Sequence, residues 1–199
     1  MRPFLALAAL ILLPTTLALT TGCGEQKITR TDENAVIDIS GNWNATDSRL
    51  VAEALIAQAL QSPWADDFKK VNNRTPVVKI GRIKPVTNGD VINTDIFAND
   101  LVRALVNSGK ARAVASTSES DQAREERKEQ DVHASEATRK AGFQETGTDY
   151  LIIGTINVQD DQAGTKRQKY YSTDLKLTDV KTQEQVWFGN KKISKLVER

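Results

Sequence analysis

The segment from Tyr150 to Val158 is apolar on both of its faces, and this constrains the fold more than any other feature of the sequence. Ile152 and Ile156 lie on one face of an extended chain, whereas Leu151 and Ile153 begin the other face. A strand with this pattern is typically buried inside a sheet and covered on both sides. We therefore predict that it is the central strand of a sheet, with other parts of the chain packed against each face.

Two more strands are predicted after this segment. Residues 171–178 alternate between apolar and polar side chains, which is typical of a half-buried strand. Residues 186–188 are apolar and indicate a last strand. Asp160, Asp161 and Gly164 predict the turn between the first two strands, because these residue types favour turn conformations. The C-terminal third is therefore predicted to be an antiparallel meander.

The region before the central strand combines helical and extended patterns. Apolar residues at helical spacing, bounded by capping residues, Gly or Pro, mark its helices. β-Branched residues mark its strands. The predicted elements are a helix from Asp47 to Leu60 with Thr46 or Asp47 as N-cap, a strand from Val77 to Lys84 closed by Pro85, a helix capped by Thr94 and ending at Ser108 before Gly109, and a short strand around Val114.

Residues 118–131 form the most highly charged stretch of the chain. We predict a solvated helix there, with a docking surface as the functional alternative. A further helix is predicted from Ser135 to Gly147, and the single histidine, His133, is interpreted as a surface residue. The fold class is therefore α+β, a mostly antiparallel sheet of four to five strands flanked by about four helices.

The N-terminus has the composition of a secretory signal peptide. Residues 1–22 contain Arg2, an apolar stretch and no acidic residue. A membrane-spanning helix needs about 20 consecutive apolar residues, and Pro14 interrupts this stretch. We therefore predict export and cleavage rather than a permanent membrane span.

Cys23 is the only cysteine and directly follows the apolar segment. Thr21 and Gly22 before it are small, so the site resembles the lipobox at which bacterial lipoproteins are cleaved and acylated. An exported protein with one cysteine has no intramolecular disulfide partner, which favours lipidation over the alternative of a free thiol. Gly24 directly follows the cysteine, at the position where an Asp would retain a lipoprotein in the inner membrane. The resemblance therefore favours an outer-membrane anchor facing the periplasm.

Residues 23–38 are predominantly polar and are predicted to form a short flexible tether. About fifteen residues of extended chain reach no further than roughly 50 Å. The globular domain is predicted to span residues 39–199.

The composition excludes several classes of function. The chain has 27 basic and 26 acidic residues, and loss of Arg2 with the signal peptide makes the two counts equal, which argues against nucleic-acid binding. One His and one Cys are too few for a typical zinc or redox site. No phosphate-binding glycine loop or serine nucleophile motif occurs. We therefore predict a protein that is not an enzyme and has no cofactor, metal or small-molecule substrate.

A family resemblance extends from about residue 39 to residue 194. It is carried by Gly41-Asn42-Trp43, Asp47 to Val51, Asp95-Ile96, Leu105 to Lys110, Asp149 to Leu151, Gly154 to Ile156, Leu175 to Asp179 and Glu184 to Gly189. In these segments the chain resembles the LpoB-type lipoprotein activators of penicillin-binding proteins. The resemblance implies a periplasmic domain that binds a bifunctional peptidoglycan synthase and raises its glycan-polymerising and cross-linking activity.

Within this resemblance, Thr87, Asn88 and Tyr150 are the expected partner contacts. The first two lie in a loop rich in Asn and Gly, and the third begins the central strand. The sequence leaves one alternative function open, a structural lipoprotein of an envelope assembly or secretion apparatus.

Overall fold

The computed structural model describes residues 28–114, 121–126, 128 and 146–198. The chain forms two compact units, Met1–Glu33 and Asn34–Arg199. In the first unit the described residues, 28–33, belong to no helix or strand. The signal peptide, Cys23 and His133 lie outside the described residues. Within the described part of the chain, no helix has the length and apolar character needed to cross a bilayer.

The first helix, α1, spans Ala45–Gln61 and begins with a reciprocal cap. The Asn44 side chain accepts a hydrogen bond from the backbone N–H of Asp47 at 3.1 Å, and Asp47 Oδ2 accepts one from the backbone N–H of Asn44 at 2.9 Å. This capping box satisfies two N–H groups that have no partner within the helix. The predicted cap at Thr46 or Asp47 is therefore wrong, because Asp47 occupies the third helical position.

A second helix, α2, spans Trp64–Asn72 and is absent from the elements predicted from the sequence. Pro63 precedes its first residue, a position at which proline favours helix initiation because its φ angle is already helical. The helix ends at Asn73, which has a φ of 50° and so adopts the left-handed conformation that asparagine tolerates. Trp64 and Ala65 are its buried residues.

The third helix, α3, spans Thr94–Asn107 and carries a buried apolar face. Its cap is Asn93, whose Oδ1 accepts hydrogen bonds from the N–H groups of Asp95 and Ile96 at 3.1 and 3.2 Å. The predicted cap at Thr94 is therefore wrong by one residue. Residues 121–126 and 128 are also helical, as predicted for the charged stretch, whereas the other residues of that stretch and residues 135–145 lie outside the described part.

Five strands form one mixed sheet. They are β1 (Val77–Val86), β2 (Arg112–Ala113), β3 (Tyr150–Ala163), β4 (Lys166–Asp179) and β5 (Gln185–Glu198), in the spatial order β2-β1-β3-β4-β5. β1 is parallel to β2 and β3, whereas the longer β3–β4 and β4–β5 ladders are antiparallel. The α+β class and the mostly antiparallel sheet are confirmed.

Two predicted strand ends are wrong. β3 continues through Asp160 and Asp161, which pair with Lys169 and Gln168 of β4, so the turn is confined to the two residues after Ala163. β1 continues through Pro85, which pairs with Ile156. Proline is tolerated there because β2 pairs only with the start of β1, which leaves this end of β1 at an edge of the sheet.

The core lies between one face of the sheet and helices α1 and α3. Trp43 packs edge-on against Phe97 of α3 and Tyr171 of β4, with ring centroids 6.0 and 5.5 Å apart. Trp43 and Trp64 are both buried in this core, at 9% and 5% exposure. Other fully buried members are Val51, Leu55, Leu101, Leu105, Ile152, Ile156, Leu175 and Leu177.

β3 is the central strand, as predicted, but the prediction that both of its faces are covered is wrong. Ile152 and Ile156 are buried under the helices, whereas Ile153 on the opposite face is 37% exposed. The apolar pattern of that face ends after Ile153, where Thr155 and Asn157 follow. The apolar area on that side is therefore too small to bury a further layer, and part of the sheet faces solvent.

Candidate partner-binding surface

The solvent-facing side of the sheet, here called the open face, carries side chains from four strands. Cross-strand pairing places Ile153 of β3, Lys176 of β4 and Phe188 of β5 in one row. Since strand residues alternate between faces, the next row on this side holds Lys84, Thr155, Asp174 and Asn190. A third row holds Val86, Asn157, Ser172 and Lys192.

The first row contains two exposed apolar side chains of the open face. Phe188 is 56% exposed and Ile153 is 37% exposed. Lys176 stands between them, so its aliphatic stem has an apolar neighbour on each side while its ammonium group remains available to solvent. Exposed aromatic rings on a rigid sheet are typical anchors of protein interfaces.

The single carboxylate in the centre of this surface is held by amide groups. Asp174 Oδ1 accepts a hydrogen bond from Asn190 at 2.7 Å, and Asp174 Oδ2 accepts one from Asn157 at 3.1 Å. Asn190 also donates to Ser172 Oγ at 2.8 Å. Both oxygens of the Asp174 carboxylate are therefore hydrogen-bonded within the open face.

Three cations border the first row. Arg82, Lys84 and Lys176 line a depression of about 580 Å³ together with Ile153 and Phe188. In the part of the chain that the structure describes, none of these three cations makes an ion pair or a side-chain hydrogen bond. The depression therefore combines an apolar floor with positive charge that no internal partner neutralises.

A larger cleft of about 840 Å³ lies between α2 and the β4–β5 turn, and Tyr150 lines it. Two of its charged groups, Arg74 and Asp149, contact each other. Arg74 donates to both carboxylate oxygens of Asp149 at 2.7 and 2.6 Å and lies over the ring of Phe68. Burial alone would raise the pKa of Asp149, but hydrogen bonds from Arg74 and from the Val77 N–H outweigh it, so this pKa is lowered. The cleft is thus stabilised as part of the fold.

A cluster around the buried side chains of Lys169 and Tyr171, here called the clamp, fixes the loop after β1. Lys169 Nζ contacts Asp90 Oδ1 and lies 2.6 Å from Asn42 Oδ1. The Tyr171 hydroxyl donates to the carbonyl oxygen of Gly41 at 2.9 Å and lies 3.1 Å from Asp90 Oδ2. Burial raises the pKa of Tyr171 well above its usual range, and the negative charge of Asp90 adds a smaller increase. The hydroxyl therefore remains protonated and can donate.

The segment that leads into α1 is held by a second lysine. Lys195 Nζ lies 2.6 Å from Asp38 Oδ1, 2.6 Å from Asp47 Oδ2 and 3.1 Å from the carbonyl oxygen of Asn42. Arg49 donates to the carbonyl oxygen of Asn34 at 3.1 Å. The compact unit that contains the sheet therefore includes residues 34–38, which fall within the segment expected to be tether.

The sequence matches the model of one protein family, described as peptidoglycan-synthase activator LpoB, over residues 47–193. This match covers more than half of the chain and includes the open face, the cleft and Lys169. The chain belongs to the LpoB family. No curated protein matches the sequence.

Solved structures of LpoB proteins align with this LpoB-family chain at low sequence identity. The LpoB C-terminal domain from Salmonella enterica has 18% identity and a TM-score of 0.43, covering 74% of this chain and 98% of that one. The corresponding Escherichia coli domain has 17% identity and a TM-score of 0.38, covering 67% and 94%. The NMR structure of E. coli LpoB has 13% identity and a TM-score of 0.41, covering 100% and 86%.

The expected contact residues of this LpoB-family chain lie in different places. Asn88 is exposed in the loop after β1, and Thr87 donates from Oγ1 to the carbonyl oxygen of Asp90 at 2.8 Å. This loop continues from Val86, so it borders the third row of the open face. Tyr150 is 6% exposed and packs against Trp64 and Phe68. Cys23 lies outside the described residues.

Sequence reasoning does not identify the open face of this LpoB-family domain. The sequence contains one indication of a basic surface. Lys79 and Lys84 occupy outward positions of β1, and Lys176 and Lys192 occupy outward positions of β4 and β5. Their assembly on one surface depends on register between strands separated by many residues. A period of two indicates which face a residue occupies but not its cross-strand neighbour.

Proposed function

We propose that this chain is an outer-membrane lipoprotein that binds a bifunctional peptidoglycan synthase, a penicillin-binding protein, in the periplasm and activates it. The observation that carries the proposal is the family match over residues 47–193. The open face supports it, since an exposed aromatic ring beside unpaired cations suits a protein-binding domain.

The protein acts in this proposal as a regulator rather than an enzyme. Within the described residues no three metal-ligating side chains come together. Asp149 in the cleft is engaged by Arg74, and Asp90 in the clamp is engaged by Lys169. Such a regulator raises activity only if it binds the active conformation of the synthase more tightly than the resting conformation.

The proposed anchor is a lipid on Cys23. Each buried CH₂ group contributes about 0.8 kcal/mol to membrane binding, so several acyl chains on one residue hold the protein firmly. We expect cells to incorporate radioactive palmitate into the wild-type chain and not into a Cys23→Ala variant. Equal labelling of both chains would show that the lipid is attached at another residue. Absence of label from the wild type would show that the chain carries no such anchor.

Anchoring the regulator and the synthase in facing membranes would raise their effective concentration, so moderate intrinsic affinity is sufficient. The proposed tether of residues 23–38 would reach no further than roughly 50 Å when fully extended, and less than that while Asn34 and Asp38 remain bonded to the domain. Thr87 and Asn88 are proposed contacts at the border of the open face. Tyr150 is proposed to act through its small exposed part in the cleft.

Capture of the synthase tests this function. We expect the full chain, purified in detergent and immobilised, to retain a bifunctional penicillin-binding protein from solubilised envelope membranes, identified by mass spectrometry. Retention of envelope proteins without any synthase would contradict the proposal. Ring-shaped or fibrous oligomers of the purified chain would instead support a structural lipoprotein of an envelope assembly.

A further inference from the structure

We propose that the open face is the surface that receives the synthase, and that it takes an acidic protein surface bearing one apolar side chain. This inference rests on the proposed function and specifies the partner's chemistry. It starts from the depression lined by Arg82, Lys84, Ile153, Lys176 and Phe188.

The apolar part of the surface requires an apolar contact. The ring of Phe188 is 56% exposed although it stands in a well-formed ladder opposite Lys176. Ile153 extends the same apolar strip across the sheet. An aromatic residue on a rigid strand loses little conformational freedom when it is covered, which makes it an efficient anchor.

The positive charge of the open face determines which charge the partner surface should carry. Arg82, Lys84 and Lys176 border the strip without internal ion pairs among the described residues, and Lys79 and Lys192 lie on the same side by register. The one carboxylate of the depression, Asp174, is already hydrogen-bonded to two asparagines. Charge complementarity therefore favours a partner surface rich in Asp and Glu, and it disfavours a basic or neutral one.

The rigidity of the surface favours a preformed partner site. All residues of the strip belong to strands β1, β3, β4 and β5, whose opposite face is packed against the core. The side chains are therefore held on a fixed framework before binding, which lowers the entropic cost of association. The larger cleft is a weaker candidate, since Arg74 and Asp149 neutralise each other there.

The test compares two triple variants of the full chain in detergent by equilibrium binding to the purified synthase. The first is Arg82→Glu, Lys84→Glu and Lys176→Glu. The control is Lys69→Glu, Lys110→Glu and Lys191→Glu, which makes the same charge change at exposed cations away from the open face and from the lining of the cleft. Thermal melting shows whether both variants remain folded.

We expect the open-face variant to bind at least about 100-fold more weakly and the control to stay within about threefold of the wild type. A third variant, Phe188→Ser, tests the apolar anchor without a charge change. It should weaken binding by about tenfold, with the salt dependence of the remaining affinity unchanged. Wild-type affinity should itself fall as ionic strength rises, because the cations are exposed.

The contradicting outcomes are separable. If the wild type binds the synthase and the folded open-face variant binds equally well, the docking surface lies elsewhere, although the activator function stands. If the wild type does not bind any synthase, the proposed function and this inference both fail. If the open-face change abolishes self-association or binding to vesicles of phosphatidylglycerol but leaves synthase binding intact, the surface serves a second copy or a lipid instead.

Discussion

Replacing Gly154 by alanine is expected to lower the free energy of unfolding by about 3 kcal/mol, although the change adds a single methyl group. A Cβ atom at this position would lie less than 3.0 Å from both the carbonyl oxygen of Asp174 and Cδ2 of Leu175. The first is backbone of the neighbouring strand and cannot move aside by changing rotamer. Relief therefore requires a shift of β3 against β4, the most extensive antiparallel ladder in the sheet.

The measurement is thermal or denaturant unfolding of the full chain, with Gly147→Ala as the matched control. A Cβ atom added at Gly147 would meet no heavy atom within 4 Å, and this residue is not among the glycines with positive φ. The control should stay within about 0.5 kcal/mol of the wild type. For a domain of this size the Gly154 change corresponds to a melting temperature lowered by roughly 6–12 °C. Equal stability of the two variants would show that β3 and β4 are not paired in this register.

Replacing Lys169 by methionine is expected to cost about 3–5 kcal/mol, because it leaves a carboxylate without its cation inside the protein. Lys169 is 3% exposed and contacts Asp90 and Asn42. Methionine has a similar length and fills much of the same space. The loss of stability is therefore due more to removal of the ion pair than to a change in packing. The clamp joins the loop after β1 to the segment before α1, and both should loosen in the variant.

Two further variants separate the ion pair from other effects. Lys166→Met removes a lysine from the same strand whose ion pair with Glu198 is exposed, and it should cost less than about 1 kcal/mol. Adding Asp90→Asn to Lys169→Met should restore part of the lost stability, since the buried charge is then removed as well. A Lys169 variant as stable as the Lys166 variant would show that the clamp does not stabilise the domain.

The elements that sequence analysis locates best are those whose periodicity is long and uninterrupted. The helix predicted from Asp47 to Leu60 agrees with α1 within two residues at its start and one at its end. The strand at Tyr150 is predicted together with its central position. Local pattern decides such elements because burial of one face is their main source of stability.

Other features depend on signals that one segment does not contain. Pro63 indicates the end of a helix when only the segment before it is considered, although the same residue is the N-cap of α2. Asn44 is the cap of α1 in place of the predicted Thr46 or Asp47, because an Asp three residues later completes the box. The open face and the clamp bring together residues from distant parts of the chain, such as Lys84 with Phe188 and Asn42 with Lys169. Only strand register and tertiary packing determine which of these residues come into proximity.

The rate of glycan polymerisation by the captured synthase shows whether this protein is an activator. Purified synthase and lipid-linked precursor are combined in detergent with the full chain, and chain growth is followed over time. We expect a faster rate with the wild type and with Cys23→Ala, since the anchor is not needed in solution, and little stimulation by the open-face variant. An unchanged rate with saturating wild-type chain would contradict the claim that this protein is an activator.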